Sequence, residues 1–157
     1  MEAPNSDEVV AVVEDVGGRT YDSRFDLFFT KTVIVAAVVL HPSDLAYAYA
    51  KTRRLEELVV GGLLHRHEIQ VLSKNMEQKR RETFQGRAVE EILRIHRGNI
   101  EIAYKSILLV KISQSILGIK LVFNMVDNRR FEFRLSREQV VSVRRILRSL
   151  NIKNFTN

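Results

Sequence analysis

The sequence predicts an α+β fold, and three observations carry that prediction. Apolar residues alternate with a period of two before residue 40 and again over 99–135, the spacing of half-buried strands. Between these stretches, over 43–97, apolar residues recur three and four apart, the spacing of helices. An S-x-x-Q sequence at Ser136–Gln139 then opens a last amphipathic segment. The order read from the chain is three strands, a helical block, four strands and a closing helix.

Each element has its own signal. Glu8–Val13 is a short apolar run of strand length, and Val16–Arg19 reads as a turn. In Arg24–Thr30, Phe25, Leu27 and Phe29 share one face, and Phe28 interrupts the polar one. Val33–Val39 is rich in β-branched residues, and a tight turn over Thr30–Thr32 makes it the partner of the preceding strand in an antiparallel hairpin. Ser43 follows Pro42 and reads as an N-cap. Leu45, Ala48, Tyr49, Thr52, Leu55 and Val59 continue at helical spacing, with Gly61–Gly62 as a kink. A weaker stripe runs from His65 to Thr83, Gly86 marks a joint, and Val89, Ile92, Leu93 and His96 form a short stripe that Gly98 ends. Ile100–Tyr104, Ile107–Ile112, Ile119–Met125 and Phe131–Leu135 read as a meander, with turns at Leu117–Gly118 and Asp127–Asn128. In the final helix Val140, Val143, Ile146, Leu147 and Leu150 mark the buried face, while Arg137, Arg144 and Arg148 lie opposite. Asn151–Asn157 reads as a polar, frayed tail.

Composition removes several functions. The 157 residues contain no cysteine, which excludes disulfides, thiolate metal sites and a cysteine nucleophile. The longest apolar run, Val33–Leu40, is far shorter than the roughly 20 residues of a membrane-spanning helix. The first 14 residues carry acids rather than the basic start of a signal peptide. A cytoplasmic protein, peripheral to the membrane at most, is the expectation. High arginine content with no cysteine points toward a thermophile. The net charge of +6 is unevenly divided: −5 over residues 1–30, +4 over 31–98 and +7 over 99–157. Such a balance attracts nucleic acid, anionic lipid or an acidic partner.

Catalytic and metal chemistry find little support. His65 and His67 are two apart, whereas histidines that share an ion from one helix stand three or four apart. His96 sits on an apolar stripe and reads as a satisfied, half-buried histidine. Gly17-Gly18-Arg19-Thr20 and Gly61–Gly62 lack the spacing of a phosphate loop. Asp127, Glu132 and Arg134 imitate a nuclease pattern, but Asp127 falls in a turn and the acids do not converge. No Ser–His–Asp set stands out. The expectation is no catalytic residue, no metal site and no cofactor.

The element order and four stretches of text resemble the pleckstrin-homology-like (PH-like) proteins of bacteria and archaea. The stretches are Phe25–Ala36 (FDLFFTKTVIVA), Ile102–Ile107 (IAYKSI), Ile116–Phe123 (ILGIKLVF) and Phe131–Phe133 (FEF). The resemblance covers about 24–40 and 99–150. It implies one domain over 1–157: a seven-stranded antiparallel barrel or sandwich with a C-terminal capping helix and a helical insertion, 43–97, between strands 3 and 4. In that fold the last strand and helix lie close together. Arg130, Arg134, Arg137, Arg144, Arg145 and Arg148 then become a candidate anion-binding patch, since guanidinium forks suit phosphate. The helical block holds more apolar surface than one small core needs. Leu55, Leu58, Val59, Leu63 and Leu64 are therefore candidates for a homodimer interface through 43–97. The resemblance implies a noncatalytic binding or scaffolding module that recognises a protein partner or an anionic membrane surface. The alternative is a nucleic-acid-associated protein using the C-terminal arginines.

Overall fold

Strand β2 (Arg24–Phe29) shows how the sequence pattern becomes structure. Phe25, Leu27 and Phe29 point into the main core, while Asp26 and Phe28 point to the opposite face. A computed structural model describes residues 8–20, 23–52, 64–152 and 154–156. In it β2 pairs antiparallel with β1 (Ala11–Gly17) on one side and with β3 (Val33–Leu40) on the other. The hairpin turn at Thr30–Thr32 is held by the Thr30 hydroxyl, which donates to the Val33 carbonyl at 2.9 Å and accepts from the Thr32 and Val33 amides.

β3 is apolar throughout because both of its faces are covered, the arrangement that produces continuous rather than alternating hydrophobicity. Ile34, Ala36 and Val38 enter the main core. Val35, Ala37 and Val39 face a second core formed with Phe84, Val89 and Ile92. Three helices follow β3 in the chain, α1 (Pro42–Thr52), α2 (Leu64–Phe84) and α3 (Val89–Ile95); Phe84 comes from α2, and Val89 and Ile92 from α3. Phe28, the residue that breaks the polar face of β2, packs edge-on against Phe84 at 5.8 Å. Part of the apolar helical surface is thus buried on the chain's own sheet. Each such side chain contributes about 1.5–3 kcal/mol when fully buried.

After α3 the chain returns as β4 (Ile100–Ala103), a short 3₁₀ turn, β5 (Ile107–Ser115), β6 (Gly118–Met125) and β7 (Arg130–Leu135). Helix α4 (Arg137–Ser149) follows, then β8 (Phe155–Thr156). The strands form one open, mostly antiparallel sheet in the order β4-β3-β2-β1-β7-β6-β5-β8. The two halves meet at a single pair, Gly17 opposite Arg134. Helix α4 covers this seam, packing on β1 and β7 with Val140, Val143 and Leu147 buried.

Several expectations are corrected. The strands make one open sheet rather than the expected barrel or sandwich, and there are eight rather than seven because the expected frayed tail folds back. Ile152 is buried, the Val110 amide donates to the Asn154 carbonyl at 3.0 Å, and β8 runs parallel to β5. β1 runs through the expected turn to Gly17. A register shift between Val13 and Val16, with Asp15 at φ 59°, re-phases the strand and returns Val16 to the core. His41, not Ser43, caps α1. The His41 carbonyl accepts from the Asp44 and Leu45 amides, its Nδ1 accepts from the Ser43 amide at 3.2 Å, and Pro42 takes the first helical position. Gly98 is not a left-handed helix stop. Its backbone passes so close to its neighbours that a β-carbon would lie 3.0 Å from His96 Nδ1 and 3.1 Å from Val38 Cγ2.

Candidate functional site

The arginine-bearing end of the sheet is positioned by α4. Ser136 and Gln139 form the expected capping box: the Gln139 amide donates to Ser136 Oγ at 3.2 Å, and the Ser136 amide donates to Gln139 Oε1 at 2.7 Å. Gln139 Nε2 also donates to the Glu14 carbonyl at 2.7 Å and the Asp15 carbonyl at 3.2 Å. One side chain therefore both starts the helix and ties it to the bulged end of β1.

With Val140, Val143 and Leu147 facing inward, the 3.6-residue repeat turns Arg145 outward, puts Val141 and Arg148 on the exposed side, and leaves Arg137 and half-buried Arg144 on the flank of the buried face. This stripe runs for about 16 Å at 1.5 Å per residue. Val141, Arg144, Arg145 and Arg148 line one shallow depression of ≈ 370 Å³. Glu138 is the one acid in α4, set against four arginines. Arg137, Arg144 and Arg145 make no ion pair or hydrogen bond with the described residues. Arg144 Nε is shielded from solvent and has no acceptor.

Beside the start of α4 stands the β5–β6 hairpin tip. β5 ends at Ser115 and β6 begins at Gly118, so Ile116 and Leu117 are the whole loop. The turn requires Gly118 at φ 113°, and Ser115 Oγ accepts from the Leu117 amide at 3.2 Å. Ile116 is 102% exposed and Leu117 80%, the two most exposed large apolar residues described. Ile116 shares a groove with Arg137 and Ser136, while Leu117 shares the next one with Arg24, Arg134 and Gln139. Asp15 lies in the second groove, paired to Arg24 at 3.5 Å. Two bare aliphatic side chains thus project next to an arginine-rich helix face.

The six expected anion-binding residues divide. Arg144, Arg145 and Arg148 come together, and Arg137 begins the same stripe. Arg130 is at the far end of β7, about 13 Å from Arg134 at strand rise, and its guanidinium is paired to Glu132. Arg134 Nη2 donates to the Thr20 carbonyl at 2.9 Å and braces the 18–23 loop. These two arginines belong to structural contacts rather than to the helix patch. Of the expected dimer residues, Leu55, Leu58, Val59 and Leu63 lie outside the described residues, and Leu64 is the first residue of α2. The apolar hairpin tip was missed as a functional feature. The available signal was an Ile-Leu pair where a two-residue turn ordinarily carries Gly, Asn or Asp.

Two other places bring polar groups together. A cleft of ≈ 660 Å³ lies between the α2–α3 turn and the outer face of β1 and β2, with Val12, Phe28, Phe84 and Ile92 in its lining. Glu8, Glu14 and Asp26 stand against Arg81 and Arg87 in its lining, and Arg81 is already taken by Asp26. The second place is His96. Its Nδ1 accepts from the Gly98 amide at 2.9 Å, which puts the ring proton on Nε2, and Nε2 donates to Asp44 Oδ2 at 3.1 Å. Arg80 holds the same Asp44 oxygen at 3.3 Å. Both ring nitrogens are therefore occupied, and the histidine fixes α1 to the α3–β4 corner without a nitrogen left for base catalysis. His41 Nδ1 meets Ser43 Oγ at 2.7 Å, but among the described residues no carboxylate orients that ring, and the same nitrogen caps α1. Asp127 is held by Arg129, and Glu132 by Lys120 and Arg130, so these acids do not converge. No group of three potential metal ligands occurs among the described residues.

Burial lowers the His96 pKa below its ordinary value, opposed by Asp44 and assisted by the positive charge of Arg80. The unfolded chain takes up this proton first. The stabilisation by neutral His96 is full above about pH 6.5 and declines as the pH falls below it. Thermal melts should show a lower midpoint at pH 5.5 than at pH 7.5. His96→Asn, which keeps an acceptor for the Gly98 amide, should reduce that difference; equal slopes in the two proteins would refute the assignment.

No family model matches this chain, and no curated protein matches it. Among the described residues no helix is long and apolar enough to cross a membrane.

Proposed function

We propose that this protein is a noncatalytic module that docks on anionic membrane surfaces, built on a PH-like framework. The observation that carries the reading is the exposed Ile116–Leu117 tip beside Arg137 and the arginine face of α4. Stable attachment to a bilayer takes two signals, an apolar insertion and a basic patch. A basic residue near an anionic surface contributes about 1 kcal/mol, and a buried aliphatic side chain about 1.5–3 kcal/mol. Neither term alone gives firm attachment, and here the two lie side by side. Nucleic acid would use the arginines but has no use for two bare aliphatic residues at a hairpin tip. The PH-like framework is supported by the strand order, a four-strand run β4-β3-β2-β1 against β7-β6-β5, with α4 over their junction.

Vesicle flotation tests this function. The protein should float with phosphatidylcholine vesicles containing a third phosphatidylserine, and stay behind with phosphatidylcholine alone. Retention of a short DNA duplex, with no flotation, would favour the nucleic-acid reading instead. Duplex affinity would then fall with salt at a log–log slope of about 0.9 per phosphate contacted.

A further inference from the structure

We propose that the depression formed by Arg144, Arg145 and Arg148 around Val141 binds a phosphate monoester, the dianionic headgroup of a membrane lipid. The inference rests on the membrane reading above and names the headgroup class that this face selects.

Three features point to a doubly charged ligand. First, the three guanidinium groups line a single depression of ≈ 370 Å³, open on the outer side of α4. Second, Arg144 and Arg145 make no ion pair with the described residues. Residues three and four away from Arg144, Arg145 and Arg148 along the chain are valine, leucine, isoleucine, serine, asparagine or another of these arginines, and none is acidic. Arg144 and Arg148 are themselves four apart, so like charges face each other on one helix surface, an arrangement that destabilises an isolated helix. Third, Arg144 Nε is shielded from water with no acceptor among the described residues, and a turn of the guanidinium toward a bound oxygen would satisfy it.

A phosphodiester brings one negative charge to this place. A phosphomonoester brings about −1.5 to −2 at neutral pH and three strong acceptor oxygens, which match planar guanidinium forks. The monoester therefore neutralises more of the repulsion and fills more of the donors. The tip at Ile116–Leu117 sets the sheet end at the bilayer, and the α4 stripe then runs along the headgroup layer. Under this division the tip supplies attachment and the three-arginine depression supplies headgroup preference.

The test compares two vesicle preparations, phosphatidylcholine with phosphatidic acid and phosphatidylcholine with phosphatidylserine, adjusted to the same surface potential. Wild-type protein should prefer the phosphatidic acid vesicles by about tenfold, the equivalent of one further charge-assisted hydrogen bond. The double variant Arg144→Ala/Arg145→Ala should lose that preference, while Arg137→Ala should weaken binding to both preparations alike. Arg137 and Arg145 are exposed and Arg144 is half-buried on the flank of α4, so a thermal melt of each variant confirms that it folds. Equal affinity for the two preparations overturns the inference and leaves the membrane reading standing; flotation with neither removes both. A preference that survives in the double variant also overturns it. Glycerol 3-phosphate is the soluble control: binding as tight as that to phosphatidic acid vesicles would mean that the monoester is not a lipid headgroup.

Discussion

Replacing Arg81 with alanine is expected to lower the unfolding free energy by about 3 kcal/mol, the cost of stranding one member of a buried ion pair. Asp26 projects from the outer face of β2 and is 2% exposed. Arg81, from the last turn of α2, meets it with two donors, Nε to Oδ2 at 2.8 Å and Nη2 to Oδ1 at 3.0 Å. The Asp15 amide adds a third hydrogen bond at 2.9 Å, available because the β1 bulge turns that amide toward Asp26. The hydrogen bonds that Arg81 donates to Asp26 raise its pKa above an already high ordinary value, so the guanidinium stays charged at any ordinary pH. The two ends of the pair are not equivalent. Without Arg81, a buried carboxylate keeps one hydrogen bond. Without the Asp26 charge, Arg81 is 28% exposed, remains 3.7 Å from Glu77 and can reach water. Asp26→Asn should therefore cost less, about 1–2 kcal/mol. Urea denaturation of both variants measures the difference. A cost for Arg81→Ala no larger than that for Asp26→Asn would contradict the pinning of α2 by this pair.

The second large effect concerns binding. Ile116→Asp/Leu117→Asp should weaken attachment to anionic vesicles by at least about 100-fold, since two aliphatic side chains each contribute about 1.5–3 kcal/mol on leaving water. Both residues are solvent-exposed at a hairpin tip, so the melting temperature should hardly change. A single arginine of α4 replaced by alanine should cost about fivefold, the equivalent of about 1 kcal/mol. Flotation against increasing lipid measures all three proteins. Unchanged affinity in the tip variant would show that attachment is electrostatic only.

Periodicity made some of this structure readable. The β2–β3 hairpin and α4 with its capping box follow from spacing alone, because each has a period, a cap or a turn that acts locally. The two-sided burial of β3 could be described as a continuous apolar run, but what covers its second face could not. Phe84 and Ile92 lie about 50 residues away, and only the folded chain shows that they meet Val35, Ala37 and Val39. The same limit hid the Asp26–Arg81 pair, which joins residues 55 apart, and the Asp44–His96 contact, 52 apart. At the candidate site, α4 periodicity puts Arg137, Arg144 and Arg148 on one stripe, but that stripe flanks the buried face rather than lying opposite it, and Arg144 is half-buried. Adding Arg130 and Arg134 assumed that proximity of strand and helix brings all the arginines together. Instead Arg130 is occupied by Glu132 and Arg134 by the Thr20 carbonyl. The tail was misread as frayed because its polar residues outnumber Ile152 and Phe155, the two that anchor it.

The absence of cysteine allows the central claim to be tested with one label. A nitroxide at Leu117→Cys, with anionic vesicles present, reports directly on where the hairpin tip sits. The account predicts that the label becomes accessible to oxygen dissolved in the bilayer and shielded from a water-soluble paramagnetic nickel complex. A label at Tyr47→Cys, on the exposed side of α1, should remain open to the nickel complex. If the Leu117 label stays equally open to that complex with and without vesicles, the tip does not enter the membrane and the proposed docking mode is wrong.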